Sequence, residues 1–142
     1  MPSASRTISV QRPVADVFAF VADGRTAPQW RGAVLDVEPA SGQGVGATYR
    51  QGVRGPGGRR IAADYVITRY EPNRTLAFRA IAGPVRPQGE FRFEDDDGGT
   101  TVTFSLEVDL TGWKRLLMGR AVQATMDAEM RALDRLKTVL EG

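Results

Sequence analysis

The sequence predicts an α+β fold in which a seven-stranded antiparallel sheet is covered by one long C-terminal helix. Three observations predict it. Six strand-like stretches follow one another between residues 34 and 110, separated by short turns rich in Gly, Pro, Asn and Asp, the arrangement of an antiparallel meander. One more alternating stretch lies near the N-terminus. Only one helical periodicity is long, and it comes last. Val122, Met126, Met130, Leu133, Leu136 and Leu140 recur at steps of 4, 4, 3, 3 and 4, the spacing of one apolar helical face. A sheet with one apolar face needs a cover, and no other helix is long enough to supply it.

Taken in order, Thr7-Ile8-Ser9-Val10-Gln11 alternates polar and apolar as a half-buried strand does. Arg12-Pro13 opens a helix, because proline suits a first turn and Asp16 complements the N-terminal dipole. Val14, Val17, Phe18 and Val21 give that helix its apolar side, Asp23-Gly24 ends it, and a second short turn carries Ala27-Pro28-Gln29-Trp30. Strands are then expected over 34–38, 47–54, 60–70, 75–81, 88–94 and 101–110. The turns between them include Gly55-Pro56-Gly57-Gly58, Glu71-Pro72-Asn73-Arg74 and a Gly/Pro break over 83–87. Asp95-Asp96-Asp97-Gly98-Gly99 reads as a hairpin turn, where glycine tolerates positive φ. The stretch from 112 to the end holds the helix, about 27 residues and so about 40 Å long. Gln123, Asp127, Arg131, Asp134, Arg135 and Lys137 form its solvated side. Residues 1–142 contain no repeat and no linker, so one domain is expected.

Composition narrows the chemistry. The 142 residues include no histidine and no cysteine. Imidazole bases, Ser-His-Asp triads, histidine or thiolate metal sites, disulfides and cysteine nucleophiles are therefore excluded. Net charge is +2 despite 19 basic residues, nearly all arginine. No apolar run is long enough to span a bilayer, and the opening residues lead into the first strand without a signal-peptide segment. A cytoplasmic location, no metal and no cofactor are the expectations.

Several strings resemble a known family. Val10-x-Arg12-Pro13-x-x-x-Val17-Phe18-x-x-Val21-x-Asp23, followed by Pro28-x-Trp30, is similar to the opening of the SRPBCC superfamily, and more narrowly of the polyketide cyclase/dehydrase-like branch of START-type proteins. Ile67-Thr68-Arg69-Tyr70-Glu71-Pro72-Asn73-Arg74-x-Leu76-Ala77-Phe78 resembles its mid-sheet signature, and Gly98-Gly99-Thr100-x-Val102-Thr103-Phe104 the following hairpin. The resemblance implies a helix-grip fold: a curved antiparallel sheet wrapped around the long C-terminal helix, with two short helices after strand 1 closing one end. It also implies a hydrophobic cavity between sheet and helix. Such proteins bind lipids, sterols, hormones or polyketides, and some catalyse cyclisation or dehydration.

With the apolar faces turned inward, the expected cavity wall comprises Phe91, Phe93, Phe104, Leu106 and Val108, joined by Tyr49, Tyr65, Ile67 and Phe78. The helix adds Leu117, Ala121, Val122, Ala124, Thr125 and Met126, and Trp30 is placed as a lid. Each of these side chains also suits ordinary core packing. Gly119, Ala121, Ala124 and Ala128 are small. They suggest a hollow upper helix above a packed Leu133, Leu136 and Leu140, or a close helix–sheet approach at Gly119.

Asp64, Tyr65 and Arg79 are the candidates for acid–base work, since a carboxylate or phenol in an apolar cavity has a raised pKa. Glu90, Arg92, Glu107 and Asp109 alternate with the inward aromatics and belong on the outer face. Arg50, Arg54, Arg59 and Arg60 surround a Gly-rich turn without interleaved aromatics, which reads as a solvated loop and not as a nucleic-acid surface. Gly42-x-Gly44-x-Gly46 lacks the following helix of a dinucleotide site. Three functions remain open: binding of a hydrophobic small molecule, a cyclase/dehydratase-type enzyme, and a regulatory or partner-binding module, as monomer or homodimer.

Overall fold

The computed structural model describes residues 3–83, 85–110 and 112–142; the break expected over 83–87 includes Pro84, which lies outside them. Strand β1 (Ser3–Val10) leads into helix α1 (Val14–Ala22), a 3-10 turn at Gly24–Thr26 and the short helix α2 (Ala27–Trp30). Pro13 stands immediately before α1 with φ −57°, pre-set for a helical start. Asp23 closes α1, and its side chain accepts a hydrogen bond from the Arg25 amide at 3.1 Å. Thr26 Oγ1 donates to the Phe20 carbonyl at 2.7 Å, folding α2 back against α1.

Strands β2 (Val34–Ser41), β3 (Thr48–Arg54), β4 (Arg60–Ala62), β5 (Tyr65–Glu71), β6 (Thr75–Ala80), β7 (Gln88–Asp96) and β8 (Gly99–Glu107) follow, and helix α3 (Trp113–Glu141) completes the order. All pairings are antiparallel, in the order β1-β8-β7-β6-β5-β3-β2, with β4 beside β3 off that path. The seven-membered path matches the sequence reading. The eighth strand arises because the long strand expected over 60–70 is divided at Ala63-Asp64. There the Ala63 amide donates to the Gln51 carbonyl at 2.8 Å, and Asp64 Oδ1 accepts from the Gln51 amide at 3.1 Å. A side-chain acceptor thus replaces one rung of the ladder. Irregular register between Ile67 and Arg69 adds local twist to β5.

Strand β1 begins four residues earlier than expected, because Ser3 to Arg6 continue the pairing with Glu107 to Phe104. The β7–β8 turn has positive φ at Asp97 (52°) and Gly98 (88°), as a two-residue turn of matching twist requires.

One face of the sheet is apolar. Phe91, Phe93, Val102, Phe104 and Leu106 are buried, while Arg92, Glu94, Ser105 and Glu107 between them are exposed. Phe91 and Phe104 sit opposite each other in register and stack at 4.1 Å and 3°. Phe18 of α1 packs edge-on to Phe93 at 5.2 Å. The lower half of α3 covers the same layer through Met130, Leu133, Leu136 and Leu140, all 7% exposed or less. Polar bonds fasten that half to β1: Arg6 Nη2 to Asp134 Oδ1 at 2.5 Å, Lys137 Nζ to the Ser9 carbonyl at 2.5 Å, and the Gln11 amide to Glu141 Oε2 at 2.8 Å. On its other flank, Arg135 Nε donates to the Gln29 carbonyl at 2.9 Å.

Candidate functional site

Above the packed leucines the helix and sheet part. A pocket of about 420 Å³ lies between them, walled by Met118, Ala121, Val122, Thr125 and Met126 of α3 and by Ile67, Leu76, Phe78, Phe91, Phe104 and Leu106 of the sheet. Val21, Gly24, Ala27 and Trp30 close one end. Trp30 is only 3% exposed and meets Phe91 edge-on at 6.2 Å, so it is an end wall fixed by packing. The hollow follows from side-chain size: Ala121 and Thr125 stand where the lower turns present Leu133 and Leu136. A Cβ added at Gly119 would meet nothing within 4 Å, so a close helix–sheet approach is not what that glycine serves.

Several expected wall residues lie elsewhere. Leu117 is 75% exposed. Helical rotation of about 100° per residue carries it well away from Val122, and Met118, one turn before Val122, takes the wall position instead. Ala124 also faces solvent. Phe93 and Val108 are buried but do not line the pocket, and Phe93 packs edge-on to Phe18. Tyr49 stands behind the wall, stacked on Tyr65 at 5.0 Å and 16°. Of the three acid–base candidates, only Tyr65 lines the pocket. Asp64 is occupied as the acceptor at the β4–β5 break, and Arg79 is exposed on the opposite face.

The wall also holds polar residues that sequence reasoning missed. Arg31, directly after α2, donates from Nε to Glu129 Oε2 at 2.8 Å and from Nη2 to Glu129 Oε1 at 3.1 Å. Its Nη1 donates to Gln51 Oε1 at 3.3 Å, and Gln51 Nε2 donates onward to the Ala63 carbonyl at 3.2 Å. Arg31, Gln51, Glu129 and Tyr65 all face the pocket, and the ion-pair side chains are 19% and 11% exposed. A signal existed in the sequence: Glu129 stands seven residues after Val122 and three after Met126, on the apolar face itself. A charge on that face needs a partner. Arg31 had no comparable mark.

The electrostatics are consistent with this arrangement. Burial acts to lower the Arg31 pKa, but the charge and hydrogen bonds of Glu129 more than offset it, and the guanidinium stays charged. Burial pushes the Tyr65 phenol up, against a smaller opposing pull from Arg31, so it stays protonated. The Tyr65 hydroxyl has no hydrogen-bond partner in the chain among the described residues. No fully buried side-chain nitrogen or oxygen there is unpartnered, so this hydroxyl opens onto the pocket. It also lies against the backbone of Gly24, where an added Cβ would stand 2.5 Å from it; glycine is required there by close approach. Among the described residues, no group of three or more acidic residues could hold a metal, and no helix is long and apolar enough to cross a membrane.

Two of the four arginines of the basic hairpin are paired with carboxylates. Arg60 forms a two-point bond with Asp36 at 2.9 and 2.8 Å, Arg50 reaches Glu38 at 3.5 Å, and Arg54 contributes to the pocket wall. On the outer face Arg92 pairs with Glu90 two residues along its own strand, and Gln88 donates a hydrogen bond to Glu107 across the β7–β8 pair.

A family model described as "Polyketide cyclase / dehydrase and lipid transport" matches residues 1–141. The chain belongs to this polyketide cyclase/dehydrase and lipid-transport family. Solved structures agree on the SRPBCC helix-grip fold of the family. A Thermus thermophilus protein superposes with a TM-score of 0.80 at 18% identity, covering 96% of this chain and 95% of its own. A START superfamily protein from Mycobacterium smegmatis gives 0.79 at 15% identity, covering 98% and 97%. The di-domain ARO/CYC BexL from the BE-7585A biosynthetic pathway gives 0.81 at 19% identity, covering 99% of this chain and 50% of BexL. Comparison with curated proteins yields no match.

Proposed function

We propose that this family member binds a hydrophobic small molecule, lipid-like, sterol-like or aromatic, in the pocket between the sheet and the upper half of α3. The observation that supports the reading best is the pocket: about 420 Å³, mostly apolar, with a few polar groups at one place on its wall. Small-molecule sites have this size and character. The family description, cyclase/dehydrase and lipid transport, names activities on apolar molecules, and the cysteine-free sequence suits a cytoplasmic setting.

A second reading is a cyclase/dehydratase-type enzyme working in the same pocket. The feature favouring it is Tyr65, a protonated phenol facing the pocket beside Arg31, which can donate to a substrate carbonyl.

Thermal-shift assays and native mass spectrometry with a panel of fatty alcohols, sterols and aromatic polyketides test the binding reading. Stabilisation and one-to-one adducts with some of these apolar ligands are expected. Failure of every apolar ligand to shift Tm or form an adduct overturns it.

A further inference from the structure

The polar patch on the pocket wall constrains what the guest carries. Arg31 has five N–H bonds. Three are used, two on Glu129 and one on Gln51. Each terminal nitrogen keeps one hydrogen without a partner among the described residues. Tyr65 adds a hydroxyl that opens onto the same space. The wall therefore offers hydrogen-bond donors to a guest.

The charge of this patch, however, is already spent. The bidentate Arg31–Glu129 pair is neutral as a unit, and Glu129 itself lines the pocket. A carboxylate or phosphate guest entering here would lose its hydration and meet no net positive charge. It would also approach the Glu129 carboxylate. Arg54, the other cation of the wall, is solvent-exposed and stands three residues beyond Gln51 along β3, about 10 Å from the patch. A ketone, aldehyde, ester or alcohol oxygen loses far less water and accepts the same donors.

Resting on the binding reading above, we propose that Glu129 makes the pocket selective for neutral guests bearing a hydrogen-bond-acceptor oxygen, and that it excludes the corresponding carboxylates. Arg31 and Tyr65 hold the oxygen; Glu129 acts through Arg31 as a charge filter. Selectivity of this kind comes from a penalty against the wrong ligand as much as from attraction to the right one.

Three ligands of one shape, naphthalene, 2-acetylnaphthalene and 2-naphthoate, separate the contributions by isothermal titration at neutral pH. The wild-type protein is expected to bind the ketone at least about tenfold more tightly than the carboxylate, the free-energy step of a single discriminating contact, and more tightly than naphthalene. In Glu129→Gln the guanidinium loses its counter-charge, and the order of ketone and carboxylate should reverse through a direct Arg31–carboxylate pair. Tyr65→Phe should reduce ketone affinity several-fold and leave naphthalene unchanged. Equal or tighter wild-type binding of the carboxylate overturns the proposal, as does an unchanged ratio in Glu129→Gln. Should that variant not fold, the wild-type ratio and the Tyr65→Phe result decide alone. Binding of none of the three, naphthalene included, would instead count against the pocket reading itself.

Discussion

Replacing Arg31 by methionine would leave the Glu129 carboxylate, only 11% exposed, without its cation. Removing one partner of a buried pair costs about 3–5 kcal/mol, whereas exchanging both for apolar residues of similar volume is often neutral or stabilising. Gln51 also loses its bond from Nη1, which adds about 1 kcal/mol at most. At about 2.1 cal/mol/K per residue, 142 residues have an unfolding entropy near 0.3 kcal/mol/K, so Arg31→Met should lower Tm by about 10–17 °C. Glu129→Met alone should be costly too, since it strands the guanidinium. The double variant Arg31→Met/Glu129→Met should recover most of the loss, giving a coupling of about 3 kcal/mol in a urea-unfolding cycle. Single variants costing under about 1 kcal/mol and adding without coupling would refute the picture of a desolvated pair.

Leu133 is fully buried and Leu117 is 75% exposed, so Leu133→Ala should cost about 2–5 kcal/mol and Leu117→Ala under about 0.5 kcal/mol, measured by the same urea titrations. Ala121→Trp, which fills the pocket from the helix side, should abolish ligand-induced thermal shifts while the unliganded Tm moves by only a few degrees. Acid sensitivity follows from three carboxylates. Hydrogen bonds from Arg6, Arg60 and the Gln11 amide, respectively, hold Asp134, Asp36 and Glu141 below their usual range. Their stabilisation is present above the unfolded carboxylate pKa of about 4 and disappears as pH falls through the lower folded values. Tm should therefore drop below about pH 4, and Asp134→Asn should flatten part of that slope in a pH series of melts; an unchanged profile would contradict the Arg6–Asp134 assignment.

Much of the fold was legible because its signals are local. The alternation through Phe91, Phe93, Val102 and Phe104 has a period set by the strand itself. The Asp97-Gly98 turn shows the positive φ its composition requires, and the Leu133-Leu136-Leu140 stripe gives the buried side of α3. The division of residues 60–70 was hidden because Asp64 replaces a backbone rung from its side chain, a bond made to Gln51 across the fold. The candidate site was only half legible for the same reason. Tyr65, Phe78 and Val122 show an inward apolar face, but Arg31 and Gln51 enter through pairings from α2 and β3, separated from Glu129 by 98 and 78 positions in the chain. Leu117 misled because it is apolar in an otherwise amphipathic helix, where one residue of offset decides between wall and solvent.

The fastening of β1 has a consequence for the order in which the molecule assembles. Its register partners are Thr100 to Glu107, and its bonds to α3 join residues 124 to 130 positions apart. A strand emerging early from the ribosome therefore waits, with its edge unpaired, until most of the chain has been made. Closing such long loops slows folding, and an unpaired strand is prone to pair with another chain in the meantime. The polar residues of β1, Ser3, Ser5, Arg6, Thr7 and Ser9, keep that waiting strand soluble until β8 and α3 arrive to enclose Ile8 and Val10.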